Sequence, residues 1–268
     1  MTDYSPWVSR AVRFTRQLNY LPGQWGISVS VAPPLSEKEA DDLHDDLPFG
    51  LPAPLRAFYV TGSASCRCTY HWSPYDADLA RVQKVFPSQR SLYGGARIVP
   101  ACDLKTAHGI HSWFDPASEE ETEEEREAFR EALNQVTEML GESLVQDFRQ
   151  MISQANENEI ELSAEAVQIW RETVPFLDVG NGDYLALHVG GDKRDCPVVY
   201  LCHDDPQRPV TEISPSFEKF MSDWEDLCYV GPEIWLLQAF LQENGDGPLL
   251  ADQAKARRWR EIICGQQD

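Results

Sequence analysis

Long apolar segments are absent from this sequence of 268 residues. No stretch approaches the roughly 20 consecutive apolar residues that cross a bilayer. The first residues, Met-Thr-Asp-Tyr-Ser-Pro-Trp, lack the apolar run of a signal peptide. Cysteines number only seven and show no paired spacing. We therefore expect no membrane association, a cytoplasmic location and free thiols rather than a disulfide framework.

Basic residues are also scarce, with 23 Lys and Arg against 44 Asp and Glu, which gives a net charge of −21. The imbalance is greatest in residues 115–165, where 16 acidic groups meet only 3 basic ones. Such a field repels phosphate backbones, so we expect no nucleic-acid partner. It would attract a basic protein and speed encounter with it, although solubility alone also explains an acidic surface.

Common catalytic signatures are missing: there is no Gly-x-Ser-x-Gly, no Gly-rich phosphate loop and no His-Glu-x-x-His. A His203-Asp204-Asp205 run follows a predicted strand, and Cys196 or Cys202 could serve as a nucleophile beside a His base. Sequence neighbours on a strand point to opposite faces, however. We favour loop and turn roles for these residues and expect neither catalytic residues nor a cofactor.

One cysteine cluster could in principle bind zinc. Cys66, Cys68 and His71 would supply three ligands, with a fourth from Cys102, His108 or His111. The spacing is too short for a zinc knuckle, and on a strand Cys66 and Cys68 share one face, as small buried cysteines commonly do. We therefore expect no metal site.

Apolar spacing predicts strands and helices that are segregated along the chain rather than strictly alternating. Ser36 and Glu39 form a capping-box pattern before a short helix. Other predicted helices cover residues 7–18, 52–59, 163–172, 216–227, 231–240 and 251–263, and predicted strands cover residues 27–31, 64–72, 97–99, 174–189 and 197–201. This order favours an α+β fold, with a single mixed, largely antiparallel sheet covered by helices, over a doubly wound sheet.

The acidic region carries an amphipathic helical pattern. Apolar residues recur at steps of three and four from Phe129 to Ile152, which predicts one apolar stripe. The acidic run from Glu119 to Glu127 lies at the N-terminal end, where the helix dipole favours negative charge. The run has two interpretations. It is either a solvated helix face without a specific role or a surface that binds a basic partner.

The Asn181-Gly182 dipeptide predicts a type I′ hairpin turn, in which both residues take positive φ. It lies between two half-buried strand patterns, Phe176 to Val179 and Tyr184 to Val189. Asp183 at the turn exit would bind turn backbone N–H groups, with partner binding as the alternative.

Tryptophans provide candidate binding residues as well as core. We expect burial for those on predicted elements. For Trp7, Trp25 and Trp259, near the termini, we favour partial burial, with exposure as a binding hot spot as the alternative. The Trp residues on predicted elements are Trp72, Trp113, Trp170, Trp224 and Trp235.

Taken in order, several segments resemble the SUKH superfamily, which includes the yeast cell-wall-synthesis regulator and many bacterial immunity proteins. The segments are the Leu-Pro helix 51–59, the strand 64–72, the hairpin 174–189, the strand 197–201 with His203-Asp204, and the Ser-Phe…Trp helix 216–224. The resemblance implies one domain over residues 1–268. Residues 115–165 would be an acidic helical insertion and residues 231–268 a helical C-terminal extension.

The resemblance also implies function: a non-enzymatic immunity protein that binds and neutralises a polymorphic toxin, with a basic nuclease as the expected partner. The acidic surface would cap the active site of that toxin. Our candidate contact residues are Glu120, Glu123, Glu124 and Glu127, followed by Asp183 and Tyr184. A cytoplasmic regulatory scaffold and a metal-dependent enzyme are the alternatives, and the sequence leaves the oligomeric state open.

Overall fold

The computed structural model describes residues 1–107, 164–190, 195–203, 205, 208–242 and 247–265. Within these ranges the strands are β1 (Gln24–Val31), β2 (Cys66–Ser73), β3 (Leu92–Arg97), β4 (Thr173–Asp178), β5 (Tyr184–His188), β6 (Val198–Leu201) and β7 (Val210–Ser214). The helices are α1 (Ser5–Gln17), α2 (Glu37–Asp46), α3 (Ala53–Thr61), α4 (Asp76–Val82), α5 (Ala164–Arg171), α6 (Phe217–Asp226), α7 (Ile234–Leu237) and α8 (Ala254–Ile263). Short 3₁₀ turns cover Leu18–Tyr20, Ala101–Asp103 and Gln238–Phe240.

The strands form two antiparallel sheets, ordered β1-β2-β3 and β4-β5-β6-β7, which confirms the α+β class. We expected one sheet. The two sheets instead meet at a single bridge between Ile98 and Leu177, beside a bond from Val99 N to Phe176 O of 2.8 Å. Beyond this bridge the backbone bonds elsewhere: Val99 O accepts from the Tyr59 hydroxyl at 2.8 Å, and Ala101 N donates to Ala64 O at 2.8 Å.

The β4–β5 hairpin is confirmed, but its predicted turn type is wrong. Asp178 pairs with Tyr184, and Val179 N donates to Asp183 O at 3.2 Å, so the loop is wider than two residues. Positive φ occurs at Gly180 (98°) and Gly182 (102°) and not at Asn181. Two flanking glycines take the left-handed conformation without a Cβ penalty, which leaves Asn181 free to adopt ordinary backbone angles.

The second sheet is buried on both faces, where the sequence pattern indicated half-burial. One face of the sheet, including Val174, Phe176 and Leu185, joins the main core. The other face forms a smaller cluster that includes Trp170 of α5. Strands covered on both sides carry near-continuous apolar runs, and so the sequence alternation is weak.

The main core is rich in aromatic pairs, and of the tryptophans expected in it only Trp235 is exposed among the described residues. Trp72, Trp170 and Trp224 are buried as expected, and so are Trp7 and Trp259, whereas Trp235 is 49% exposed. Trp259 packs edge-on against Phe86 with ring centroids 5.3 Å apart. Burial of the terminal tryptophans follows from α1 and α8 docking on the core, a long-range event that position in the chain does not encode. Trp113 lies outside the described residues.

Local signals predicted most of the helices well. The Ser36 capping box is present: Glu39 N donates to the Ser36 hydroxyl at 3.3 Å, and Ser36 N donates to the Glu39 carboxylate at 2.8 Å. Helix α4 and strand β7 were not predicted. Strand β3 ends at Arg97, where the strand predicted over residues 97–99 begins. The predicted acidic helix lies outside the described residues. In the part of the chain that the structure covers, no helix is both long enough and apolar enough to cross a membrane.

Candidate partner-binding site

Among the described residues, the three-stranded sheet has one face packed on the core and one face that no other element covers, and β2 shows why. Cys66, Cys68, Tyr70 and Trp72 point into the core and are at most 3% exposed. The alternate residues of β2, from Arg67 onwards, point away from the core and are exposed or half-buried. Side chains alternate along a strand, so this sequence dictates one apolar and one polar face.

Register places the outward residues of the three strands in rows. The first row is Ser30, Arg67 and Arg97; the second is Ser28, Thr69 and Gly95; the third is Gly26, His71 and Tyr93. Most members of these rows are small, so the sheet face forms the floor of an open groove. From the first row to the third the strands rise about 13 Å, at 3.3 Å per residue.

Cavity volumes give the groove its size. One section, of about 590 Å³, lies over the His71 and Tyr93 end and reaches Glu233. A second section, of about 460 Å³, lies beyond Arg67 and Arg97 and is bordered by Tyr184. Both sections share Arg67 and Arg97. We refer to the two sections together as the sheet-face groove.

A glycine keeps the floor of the sheet-face groove flat. Gly95 has φ of 100°, and a Cβ there would overlap the backbone of Cys68 on the neighbouring strand. Its N–H donates to the Tyr229 carbonyl at 2.5 Å, which ties β3 to the segment after α6. A residue with a side chain would clash at this position and would also be strained.

The two arginines give one end of the groove a positive charge. Arg67 and Arg97 lie directly opposite each other on β2 and β3. Arg97 forms an ion pair with Asp178 at 3.0 Å, whereas Arg67 is exposed and makes no ion pair within the described part of the chain. Like charges opposite each other on a sheet are unfavourable, so a bound anion would stabilise this end.

The opposite end is aromatic and carries an acid. The His71 and Tyr93 rings lie with centroids 4.8 Å apart, and Tyr93 is 51% exposed. Burial raises the pKa of Glu233, whose buried Oε2 accepts no hydrogen bond from the described residues. Exposed Tyr and Arg side chains are enriched among the residues that dominate protein interfaces.

Asp183, one of the predicted contact residues, lies inside the β4–β5 loop and is 1% exposed. Its Oδ2 accepts from the Tyr200 hydroxyl at 2.5 Å and from Asn181 Nδ2 at 2.9 Å. Its Oδ1 accepts from His203 N at 3.0 Å and lies 2.7 Å from His203 Nδ1. Burial alone would raise the pKa of Asp183, but these hydrogen bonds outweigh it and lower the pKa. The carboxylate therefore stabilises the loop.

The remaining predicted contact residues have different positions. Tyr184 is 7% exposed and packs with Trp170 and Leu201 on the smaller apolar cluster, with one edge at the second section of the sheet-face groove. Glu120, Glu123, Glu124 and Glu127 lie outside the described residues and stay predictions.

Four residues give the groove its character. Arg67, Tyr93 and Arg97 carried no functional prediction, and His71 was considered only as a zinc ligand. A usable signal was present in β2, where Arg67, Thr69 and His71 alternate with buried residues. An alternating strand whose polar side carries Arg and His, rather than Ser and Thr alone, is a candidate for a binding surface.

The structure separates the ligands of the possible zinc site. Cys66 and Cys68 are fully buried with sulfurs 4.0 Å apart, and His71 points to the opposite face of the sheet. Among the described residues, no group of three His, Cys, Asp or Glu side chains is arranged to bind a metal ion. His203 of the possible catalytic run contacts Asp183 instead, and Asp204 lies outside the described residues.

Comparison with known proteins gives one match. The family model described as SMI1 / KNR4 family (SUKH-1) matches residues 34–223. This range begins just before α2 and ends within α6, so it includes β2 and β3 of the sheet-face groove and the whole second sheet. No curated protein and no solved structure matches the chain significantly.

Proposed function

The chain belongs to the SMI1 / KNR4 family (SUKH-1), and from this premise we propose that it is an immunity protein that binds and neutralises a bacterial toxin. The family is generally non-enzymatic, so neutralisation would take place by binding alone. Cys66, Cys68, Cys102, Cys228 and Cys264 carry free thiols, which fits action in a reducing cytoplasm.

The observation that carries this proposal is the sheet-face groove. It offers an exposed Tyr93, a His71 ring that packs tilted against it, and an exposed Arg67 that forms no ion pair with any described residue, all on paired strands of one sheet. Residues on paired strands lose little conformational freedom on binding, and Tyr and Arg are the usual anchors of protein interfaces. An acidic side chain of the partner would contact Arg67, and an aromatic or aliphatic one would cover Tyr93.

The negative charge of the rest of the chain supports a partner that is basic overall. Helix α2 alone carries six exposed acidic side chains, which are Glu37, Glu39, Asp41, Asp42, Asp45 and Asp46. We propose that Glu120, Glu123, Glu124 and Glu127 extend this field. A basic nuclease domain would be steered to such a surface, and its active site would be capped by it.

A survival assay tests the proposal. The toxin gene adjacent to the gene of this chain is expressed in a host cell with and without the full chain. We expect growth only when the chain is present. Loss of growth in both cultures, or the absence of any toxin gene nearby, would contradict the immunity role and favour a regulatory scaffold of the cell-wall-regulator type.

A binding assay with matched variants tests the groove. Arg67→Glu should raise the dissociation rate of the purified toxin complex by about tenfold or more, since interface anchors contribute about 2 kcal/mol. The control is Arg90→Glu, which makes the same charge change at an exposed residue away from the groove. Equal effects of the two variants would remove the sheet-face groove from the interface.

A second pair of variants tests the acidic segment. Glu123→Lys with Glu127→Lys should slow association at low salt by about tenfold or more, because steering acts on the association rate. The control is Asp42→Lys with Asp45→Lys on α2, which changes the net charge equally. If both pairs slow association to the same degree, overall charge steers the partner and the predicted glutamates have no special role.

A further inference from the structure

Two thiols meet at the point where the last helix docks on the core. The sulfurs of Cys228, just after α6, and Cys264, just after α8, lie 3.5 Å apart. Cys228 is buried, at 5% exposure, whereas Cys264 is exposed. The residues are 36 positions apart in sequence, so tertiary packing alone brings them together.

Several contacts hold this geometry. Trp259 of α8 is fully buried and donates its indole N–H to Leu227 O at 2.7 Å. Arg260 donates to Asp226 O at 3.2 Å and to Ala251 O at 2.7 Å. These bonds attach α8 to the segment that carries Cys228, so the sulfurs stay within reach of each other.

The surroundings shift the pKa values of the two thiols in opposite directions. A hydrogen bond from the Cys228 thiol and the positive charge of Arg260 lower the pKa of Cys264, against the opposing effect of burial. The same hydrogen bond, together with burial, raises the pKa of Cys228. An exposed sulfur with thiolate character beside a buried thiol is the arrangement in which oxidation ends in a disulfide.

Neither of two other cysteine environments combines these features. Cys102 is exposed, but burial and its hydrogen bond to Asp103 raise its pKa. Cys66 and Cys68 are close in space, but both are fully buried, so a small oxidant cannot reach them without local opening of the fold.

We propose that Cys264 and Cys228 form an oxidative modification site, in which hydrogen peroxide converts the pair to a disulfide. The Cys264 thiolate attacks one peroxide oxygen, the O–O bond breaks, and the products are the sulfenic acid and hydroxide, which takes up the proton that Cys264 had lost. The Cys228 sulfur then attacks the Cys264 sulfur, the S–O bond breaks, and the Cys228 proton leaves with the hydroxyl as water. Overall, two thiols and one peroxide give one disulfide and two waters.

The disulfide would covalently join α8 to the end of α6, and it requires no partner. This inference is independent of the proposed toxin neutralisation. A cross-link between segments this far apart restricts the unfolded chain, so it stabilises the fold.

The test uses the reduced full chain treated with one equivalent of hydrogen peroxide. Free thiols are then alkylated under denaturing conditions, and the tryptic peptides are analysed by mass spectrometry. We expect a linked peptide pair that contains Cys228 and Cys264, and two fewer alkylated thiols than the seven of the reduced chain. The melting temperature should rise after oxidation and return with reductant. A disulfide between other cysteines, or one between two chains, would overturn the proposal.

Matched variants assign the roles. In Cys228→Ser, the sulfenic acid of Cys264 should persist and react with dimedone, whereas in Cys264→Ser the Cys228 thiol should stay reduced. Cys102→Ser is the control and should form the same disulfide as the unmodified chain. Dimedone labelling at Cys102 instead of Cys264, in the folded Cys228→Ser variant, would refute the assignment.

Reactivity with pH gives a readout that does not depend on oxidation. At neutral pH, iodoacetamide should alkylate Cys264 of the reduced chain faster than Cys102, because the pKa of Cys264 is lowered and that of Cys102 is raised. The rate at Cys264 should also reach its plateau at the lower pH. Equal rates at the two exposed thiols across the pH range would contradict the thiolate role of Cys264.

Discussion

Replacing Asp183 by Asn tests whether this buried carboxylate stabilises the fold or contacts a partner. The substitution keeps the size of the side chain but removes the charge and turns one acceptor into a donor. Asp183 now receives hydrogen bonds on both oxygens, from Tyr200 and Asn181 on one and from His203 on the other. An Asn can accept on one side only, so donors on the other side lose their acceptor.

The expected cost follows from these contacts. Hydrogen bonds to a charged group contribute about 1.5–3 kcal/mol each, and a buried donor without an acceptor costs about 1–3 kcal/mol. The Asp183 side chain is 2% exposed, so solvent screening does not reduce these values. Allowing for partial relaxation of the loop, we expect Asp183→Asn to lower the free energy of unfolding by about 3 kcal/mol.

Thermal unfolding followed by circular dichroism at neutral pH provides the assay. A loss of about 3 kcal/mol corresponds to a fall in Tm of about 6–12 °C for a domain of 150–250 residues. The control is Asp178→Asn on the same hairpin, where the Asp178 and Arg97 side chains are 37% and 41% exposed. Ion pairs this exposed contribute about 0–1 kcal/mol, so the control should stay close to the parent.

The stability difference between the parent and Asp183→Asn should depend on pH, which a packing defect alone would not produce. The pKa of Asp183 is lowered in the folded chain relative to its ordinary value of 3.8. Its contribution is therefore complete above the unfolded pKa and is lost as the pH falls through the folded pKa. The difference in stability between parent and Asp183→Asn should be constant near neutral pH and shrink below about pH 4. Parent-like stability with weakened partner binding would refute the structural role and restore Asp183 as a contact residue.

Two further predictions concern stability. Trp259→Ala should lower the free energy of unfolding, measured by chemical denaturation, by about 3–5 kcal/mol, because this side chain is fully buried and hydrogen-bonded. The control Trp235→Ala, at a site 49% exposed, should lower it far less. Equal losses would contradict the docking of α8. Ser36→Ala removes the capping box of α2 and should lower the unfolding free energy by about 1 kcal/mol, with Ser88→Ala at an exposed site as the control; a loss no larger than that of the control would show that the cap does not stabilise the fold.

Features that depend on short-range interactions along the chain were predicted from the sequence, and features that depend on long-range packing were not. Three features depend on residues a few positions apart, and their sequence patterns predicted them. They are the Ser36 cap of α2, the β4–β5 hairpin and the amphipathic face of α6. The turn type failed because Gly180 offered an alternative left-handed position that the Asn181-Gly182 signal obscured. Strand β7 was missed because no strong alternation marks Val210–Ser214, which is held by its pairing with β6.

The α+β class, most helix positions and membership in the SUKH superfamily could be predicted from the sequence. Each of these follows from contacts between near neighbours in the chain or from the order of short motifs. The sheet-face groove and the Cys228–Cys264 contact could not be predicted, since they arise where β2 aligns with β3 and where α8 packs beside α6. Such alignments depend on the packing of many side chains that are distant in sequence, and no local sequence pattern predicts that packing.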